Sequence, residues 1–221
     1  LPEALHITRL AVLSAPQSKL YHTLRKDKVA HGEGGAITVG NPLTMGMRLQ
    51  QIANGYYQPD DKDTVTRLVG VPTKTQVVLE ILEELGSQPV VIFTRFQEDV
   101  AILKESLEGA GYKNIKRLIG GLHEHNEFQA GDGQIILVNM AAGAEGVELT
   151  RARYGIFYSI DYSRTAYTQA LARIRRPTVD AGKPVTYFHI HARGTIDELL
   201  LKIIQGKGDV AEELANGLMK L

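Results

Sequence analysis

The 221-residue chain contains no cysteine, which excludes disulfides and leaves the redox state of its compartment open. It also lacks an excess of either charge, because 25 Lys and Arg residues balance 25 Asp and Glu residues. Any binding of a polyanion must therefore depend on a local basic patch. No apolar run approaches the length of about 20 residues that a membrane-spanning helix needs. We therefore expect a cytoplasmic protein that does not engage a membrane.

The N-terminus lacks the charged and then apolar layout of a signal peptide. It also begins with Leu1 and not with methionine, which we interpret as a sign that the chain is a piece of a longer protein. The hydrophobic content of 43% is ordinary for a globular protein with a sizeable core.

The order of predicted elements divides the chain near residues 71 and 72. Residues 1–71 are predicted to form a mostly helical segment, with a glycine-rich loop at His31–Gly35. In residues 72–221, predicted strands and helices alternate from Pro89 onward. Repeated units of this kind predict an α/β fold, with a parallel sheet covered by helices on both faces.

The stretch from Ile135 to Pro177 holds the candidate phosphate-binding residues. Its apolar start predicts a buried strand, and a helix is expected later, from about Ser163 to Ile174. Gln169, Arg173 and Arg176 are spaced three and four residues apart, which predicts one helical face. An amide and two guanidinium groups on one face are well suited to holding phosphate.

Polar residues follow three predicted strands of the sheet. They are Thr94 and Arg95, the segment from Asn139 to Gly146, and Asp161. Parallel α/β sheets bind their ligands at the carboxyl ends of the strands. The sequence therefore predicts a binding site at this edge.

Three segments, in this order, resemble the second RecA-like lobe of a Swi/Snf-type superfamily 2 helicase-like ATPase. VVIFTRF at residues 90–96 resembles helicase motif IV, NMAAGAEGVELT at residues 139–150 resembles motif V, and QALARIRRP at residues 169–177 resembles motif VI. The chain departs from the family at Asn139–Ala141, where Ser-Thr-Arg is usual, and at Pro177–Val179, where Gly-Gln commonly follows. These departures indicate a divergent branch, with a bacterial or phage origin expected.

The resemblance implies that two lobes of one polypeptide close around ATP and Mg²⁺. The first lobe would hold both, and the chain has neither the phosphate-loop pattern G-x-x-x-x-G-K-[ST] nor D-E-x-H after a strand. We therefore expect the chain to be inactive as an ATPase without that first lobe.

The resemblance also implies roles for individual residues. Arg176 would be the arginine finger, and Arg173 would contact phosphate beside it. Gln169 would link the nucleotide to motif V. The motif V glycine loop, which would sense closure of the lobes, contains Gly143, Glu145 and Gly146. Duplex DNA would be held through its backbone phosphates, by Thr94, Arg95 and Asn139.

Two other functions remain open on the sequence. The chain could be a stand-alone nucleic-acid or protein-binding module with this fold and no ATP turnover, or an unrelated α/β enzyme that binds a nucleotide. No metal site is expected, because His123 and His125 lack further ligands at standard spacing. His189 and His191, which share one strand face, favour packing over ligation for the same reason.

Overall fold

The computed structural model describes residues 3–142, 146–176, 184–206 and 208–218. The chain forms two units, the first from Leu1–Arg9 with Val77–Ile190, and the second from Leu10–Gln76 with His191–Leu221. The second unit thus combines the N-terminal segment with the C-terminal helices. The boundary at residues 71 and 72 stays a prediction about domain organisation.

Strands and helices alternate through most of the described chain. In order, the elements are β1 (Ala4–Ala11), α1 (Ala15–Asp27), β2 (Val29–Gly32), β3 (Gly35–Thr38), α2 (Pro42–Ala53), β4 (Tyr56–Tyr57), β5 (Thr66–Arg67), α3 (Thr73–Leu85), β6 (Val90–Thr94), α4 (Gln97–Gly109), β7 (Lys116–Ile119), β8 (Leu122–His123), α5 (His125–Gln129), β9 (Ile135–Asn139), β10 (Tyr154–Phe157), α6 (Arg164–Ile174), β11 (Val185–Ala192), α7 (Ile196–Gln205) and α8 (Val210–Leu218).

A sheet of seven described strands, in the order β1-β11-β10-β6-β9-β7-β8, is the framework of the first unit. The central pairs are parallel, and among the pairings that the structure describes within this sheet only that of β8 with β7 is antiparallel. Strands β6 and β9 are buried along their whole length, as apolar strands covered on both faces must be. The predicted α/β fold with a parallel sheet is confirmed.

The parallel register sets the edge where candidate site residues meet. Thr94 at the end of β6 is the register partner of Asn139 at the end of β9. On the other side of β6, Phe93 pairs with Phe157 of β10, and their rings stack with centroids 4.8 Å apart. The carboxyl ends of β6, β9 and β10 are therefore aligned, and the stacked phenylalanine rings support β6 and β10.

Short hairpins in the second unit correct one expectation. The glycine-rich stretch that was predicted to be a loop belongs to an antiparallel hairpin of β2 and β3, in which Gly32 pairs with Gly35. Helix α1 ends at Asp27 because Lys28 adopts the left-handed conformation, with φ of 60°. That conformation redirects the chain at Lys28, and β2 begins at the next residue, Val29.

Buried polar contacts hold the second unit together. The Lys74 ammonium lies 2.8 Å from Asn54 Oδ1 and 3.0 Å from Asp197 Oδ2, and the Lys74 side chain has no exposed surface. Asp197 also accepts a hydrogen bond from the backbone N–H of Ala192. No helix among the described residues is long and apolar enough to cross a membrane.

Candidate nucleotide and nucleic-acid site

The end of α6 is bonded to the segment that resembles motif V. The backbone N–H of Leu149 donates to the carbonyl oxygen of Arg173 over 2.8 Å. Glu148 lies beside Arg176, with Oε1 3.9 Å from the guanidinium Nε. Consecutive residues of one segment thus contact both arginines, so the two motifs form one connected structure.

Arg173 is 6% exposed, and its Nη1 has no hydrogen-bond partner among the described residues. Burial lowers the pKa of the Arg173 guanidinium, although a guanidinium remains charged in proteins. A buried donor without an acceptor is costly, and a cation raises that cost. Such a group is suited to bind an anion such as a phosphate oxygen.

Arg176 lies beyond the helix, since α6 ends at Ile174 and Arg175 has the extended angles φ −93° and ψ 90°. The expectation that Gln169, Arg173 and Arg176 share one helical face is therefore wrong. The proline at position 177 disfavours helical backbone at Arg176 and has no N–H to bond the Arg173 carbonyl, which accepts from Leu149 instead. About one third of the Arg176 side chain is exposed (34%), so this guanidinium can meet a group outside the chain.

The other residues that were predicted to bind the nucleotide are Gln169 and those of the motif V glycine loop. Gln169 is exposed on α6, where Arg173 is buried. Gly146 has φ of +90° and open space where a Cβ would lie, so glycine is favoured there by its backbone and not by a close neighbour. Gly143 and Glu145 lie outside the described residues.

Arg95 follows β6 and is held over an aromatic surface. Its guanidinium carbon lies 3.8 Å from the ring centroid of Tyr162 and 5.0 Å from that of Phe96. Its Nε is 3.9 Å from Asp161 Oδ2, and its backbone N–H donates to Ser159 Oγ over 2.8 Å. Stacking of this kind orients a guanidinium without removing its hydrogen-bonding edge.

Thr94 and Asn139 are buried at the same edge. Thr94 Oγ1 donates to the carbonyl of Val138 over 3.4 Å, and Thr94 has no exposed surface. Asn139 Nδ2 donates to the carbonyl of Arg95 over 3.0 Å, while its Oδ1 accepts from the N–H of Ala141. Both side chains organise the strand ends. Their predicted contact with phosphate stays a prediction.

Sequence reasoning missed the Tyr162 ring. The available signal was its position directly after Asp161, at the end of a predicted strand. Since aromatic residues at strand ends more often fill the core, that position alone did not indicate a partner for Arg95.

An aromatic layer packs under α6. Tyr167 OH lies 2.9 Å from His189 Nε2, and the His189 ring stacks on Phe157 with centroids 5.0 Å apart. Tyr187 OH donates to the carbonyl of Leu171 over 2.6 Å. These contacts fix the helix that carries Arg173. No three His, Asp or Glu side chains within the described part of the chain are grouped as a metal site requires.

Comparison with known proteins gives consistent matches. A family model described as the helicase conserved C-terminal domain matches residues 73–178. YwqA of Bacillus subtilis, named as an ATP-dependent helicase/translocase, is 25% identical over 227 residues, covering 97% of this chain and 24% of that protein. The CHD3-type chromatin-remodeling factor CHR7 of Arabidopsis thaliana is 27% identical over 178 residues, covering 73% of this chain and 15% of that protein.

The fold has a solved counterpart. The crystal structure of the C-terminal part of the Fun30 ATPase domain superposes with a TM-score of 0.72 at 14% identity, covering 99% of this chain and 97% of that one. At that identity the likeness shows the fold alone. The chain spans 24% or less of the length of the two curated relatives described above. Its motifs, its fold and these matches agree: residues 73–178 match the helicase conserved C-terminal domain, and the chain is similar to the corresponding part of Swi/Snf-type helicases and chromatin remodelers.

Proposed function

We propose that this chain is the second lobe of an ATP-dependent DNA translocase, and that it supplies an arginine finger to ATP held by a first lobe. The observation that carries the proposal is the bonded junction between motifs V and VI, with Leu149 and Glu148 at Arg173 and Arg176. It presents one buried and one partly exposed guanidinium from neighbouring positions, which suits recognition of several phosphate oxygens.

The two arginines have different roles in this proposal. Arg176 is exposed enough to reach a γ-phosphoryl group and neutralise the charge that develops on it during transfer. Arg173 is more buried, and it holds a phosphate oxygen or the junction itself. Bound ATP and Mg²⁺ would supply the reacting phosphoryl group and its counter-charge, through residues that belong mainly to the first lobe. Without that lobe the chain does not turn over ATP.

Duplex DNA would bind at the edge formed by the strand ends. Arg95 is the residue best placed to do so, because its partly exposed guanidinium is oriented by Tyr162 and Asp161. Thr94 and Asn139 support this role, Asn139 by bonding the Arg95 carbonyl. Contacts to phosphate carry no base readout, so binding should be independent of sequence.

Arg95→Ala tests the binding edge. We expect the variant to bind duplex DNA several-fold more weakly, and its dependence of log affinity on log salt to be shallower by about one unit, as for one lost phosphate contact. Fluorescence anisotropy with two duplexes of unrelated sequence measures both quantities.

Two controls accompany the Arg95 experiment. Arg95→Lys should retain most of the affinity because it keeps the charge, and Arg193→Ala, which removes an exposed arginine elsewhere, should bind as the wild type does. An Arg95→Ala protein with unchanged affinity and salt slope would remove Arg95 from the DNA-binding surface.

A further inference from the structure

Helix α1 has an exposed basic face that the proposed function does not use. Lys19, His22 and Lys26 are exposed and lie three and four residues apart, so they follow one side of the helix. The opposite side is buried, with Leu20, Tyr21 and Leu24 in the core of the second unit. We call the three exposed residues Lys19, His22 and Lys26 the α1 basic face.

The lysines of this face have no partner among the residues that the structure describes. Among the described residues, no hydrogen bond or ion pair involves the ammonium group of Lys19 or Lys26. Several other lysines are paired, such as Lys104 with Glu108 and Lys116 with Asp132. The sole carboxylate of α1 is Asp27, its last residue. The face is therefore a local concentration of positive charge, in a chain of zero net charge, that no ion pair among the described residues neutralises.

A cavity lies beside the α1 basic face. It has a volume of about 640 Å³ and lies within the second unit. Lys19 lines it from the helix, His31 lines it from β2 and Arg67 lines it from β5, with Glu33 as its one carboxylate among the described lining residues. Lys19 thus belongs both to the α1 basic face and to the wall of a concave surface.

The spacing of the face allows its two lysines to contact separate phosphates. Lys26 lies seven positions after Lys19, which is about 10.5 Å along the helix axis at about 1.5 Å per residue. One strand of a duplex carries a phosphate about every 3.4 Å of rise along its axis, so two flexible lysine side chains at this separation can each reach a different phosphate. Lysine ammonium groups bind phosphate as point charges, and the face carries no exposed aromatic side chain that would anchor a protein partner.

We propose that the α1 basic face is a second DNA-binding surface, which contacts the phosphate backbone of duplex DNA independently of the strand-end edge at Arg95. This inference rests on the proposed function, because it assigns a further contact to the same ligand. The contact would depend on charge and not on base sequence. It would be lost at high salt before any contact that is buried.

The double variant Lys19→Ala/Lys26→Ala tests this surface in the purified chain. Losing two phosphate contacts should flatten the dependence of log affinity on log salt by about 1.8 units, which is about 0.9 per phosphate. Between 50 and 200 mM salt the wild type should therefore lose roughly tenfold more affinity than the variant does. Both lysines are exposed on a helix, where alanine is favourable, so far-UV circular dichroism should be unchanged.

The matched control removes two exposed lysines elsewhere. Lys113→Ala/Lys202→Ala changes the net charge equally, and it should leave the salt slope within about 0.3 units of the wild type, since neither lysine belongs to the proposed contacts. If the salt slope falls equally in both double variants, the effect comes from bulk charge and the proposal is wrong. An unchanged salt slope in Lys19→Ala/Lys26→Ala would also overturn the proposal. The proposal is also wrong if Lys19→Ala/Lys26→Ala loses affinity for an acidic peptide but keeps its affinity for duplex DNA.

Failure of the proposed function and failure of this inference give different results. If the wild-type chain does not bind duplex DNA at all, the proposed DNA-binding function fails together with this inference. If Arg95→Ala weakens binding and Lys19→Ala/Lys26→Ala does not, the strand-end edge stands and the second surface is wrong.

Discussion

Arg176→Ala should abolish DNA-stimulated ATP hydrolysis in the longer protein that the proposed function requires. An arginine finger contributes about a thousandfold or more to the rate, so the loss in kcat should be of at least that order. Binding of ATP should remain measurable, because the proposed function assigns the phosphate loop and the Mg²⁺ ligands to the first lobe. Steady-state hydrolysis at saturating DNA, together with binding of a fluorescent nucleotide, separates the two effects.

The position of Arg176 explains why the loss should fall on the chemical step. Its guanidinium is partly exposed and is restrained only weakly by Glu148, at 3.9 Å, so it is available to a group that develops charge. An interaction made mainly in the transition state lowers kcat and kcat/KM together when it is removed. Arg193→Ala, which removes another exposed arginine, should hydrolyse ATP at the wild-type rate. Near-normal turnover in Arg176→Ala would show that another residue is the finger.

Lys74→Met should lower the free energy of unfolding by about 3–5 kcal/mol, the usual cost of breaking a buried ion pair by removing one partner. The ammonium is fully buried and bonds both Asn54 and Asp197, and Asp197 is 4% exposed. Without the lysine, a carboxylate is left in the interior with the N–H of Ala192 as a remaining donor. Urea unfolding followed by circular dichroism measures the change.

Two further variants distinguish a buried pair from a general loss of contact. Lys74→Met/Asp197→Asn removes both charges, and it should be less destabilised than Lys74→Met alone because no uncompensated charge remains. Lys104→Met breaks the exposed pair with Glu108, which lies one turn away on α4, and it should cost less than about 0.5 kcal/mol. If the free energy of unfolding of Lys74→Met lies within about 1 kcal/mol of the wild-type value, removing the lysine does not leave a costly buried charge, and the pair does not stabilise the second unit.

The sheet could be predicted from sequence because its central strands have a simple physical signature. Val90–Thr94 and Ile135–Asn139 are apolar runs of strand length, and parallel strands covered on both faces need such runs. The edge where Thr94 and Asn139 meet followed from the same rule, since parallel strands present their carboxyl ends together. A local sequence pattern was sufficient to predict a strand wherever the strand's own apolar residues required its burial.

Contacts between distant parts of the chain could not be predicted in this way. Lys74 and Asp197 are 123 residues apart, and neither position differs in sequence from an ordinary exposed charge at a helix start. The β2–β3 hairpin escaped notice because its strands have four residues each and two glycines adjoin its turn. The stacking of Arg95 on Tyr162 depends on the packing of two strand ends, and no periodicity in either segment encodes it.

The central claim is that this chain is half of an ATP-hydrolysing site. The most direct measurement is ATP hydrolysis by the purified chain, with and without duplex DNA, beside the longer protein that also carries a first lobe. We expect no turnover above the protein-free rate for the chain under either condition, and DNA-stimulated turnover for the longer protein. DNA-stimulated hydrolysis by the chain alone, retained through successive purification steps, would contradict this claim.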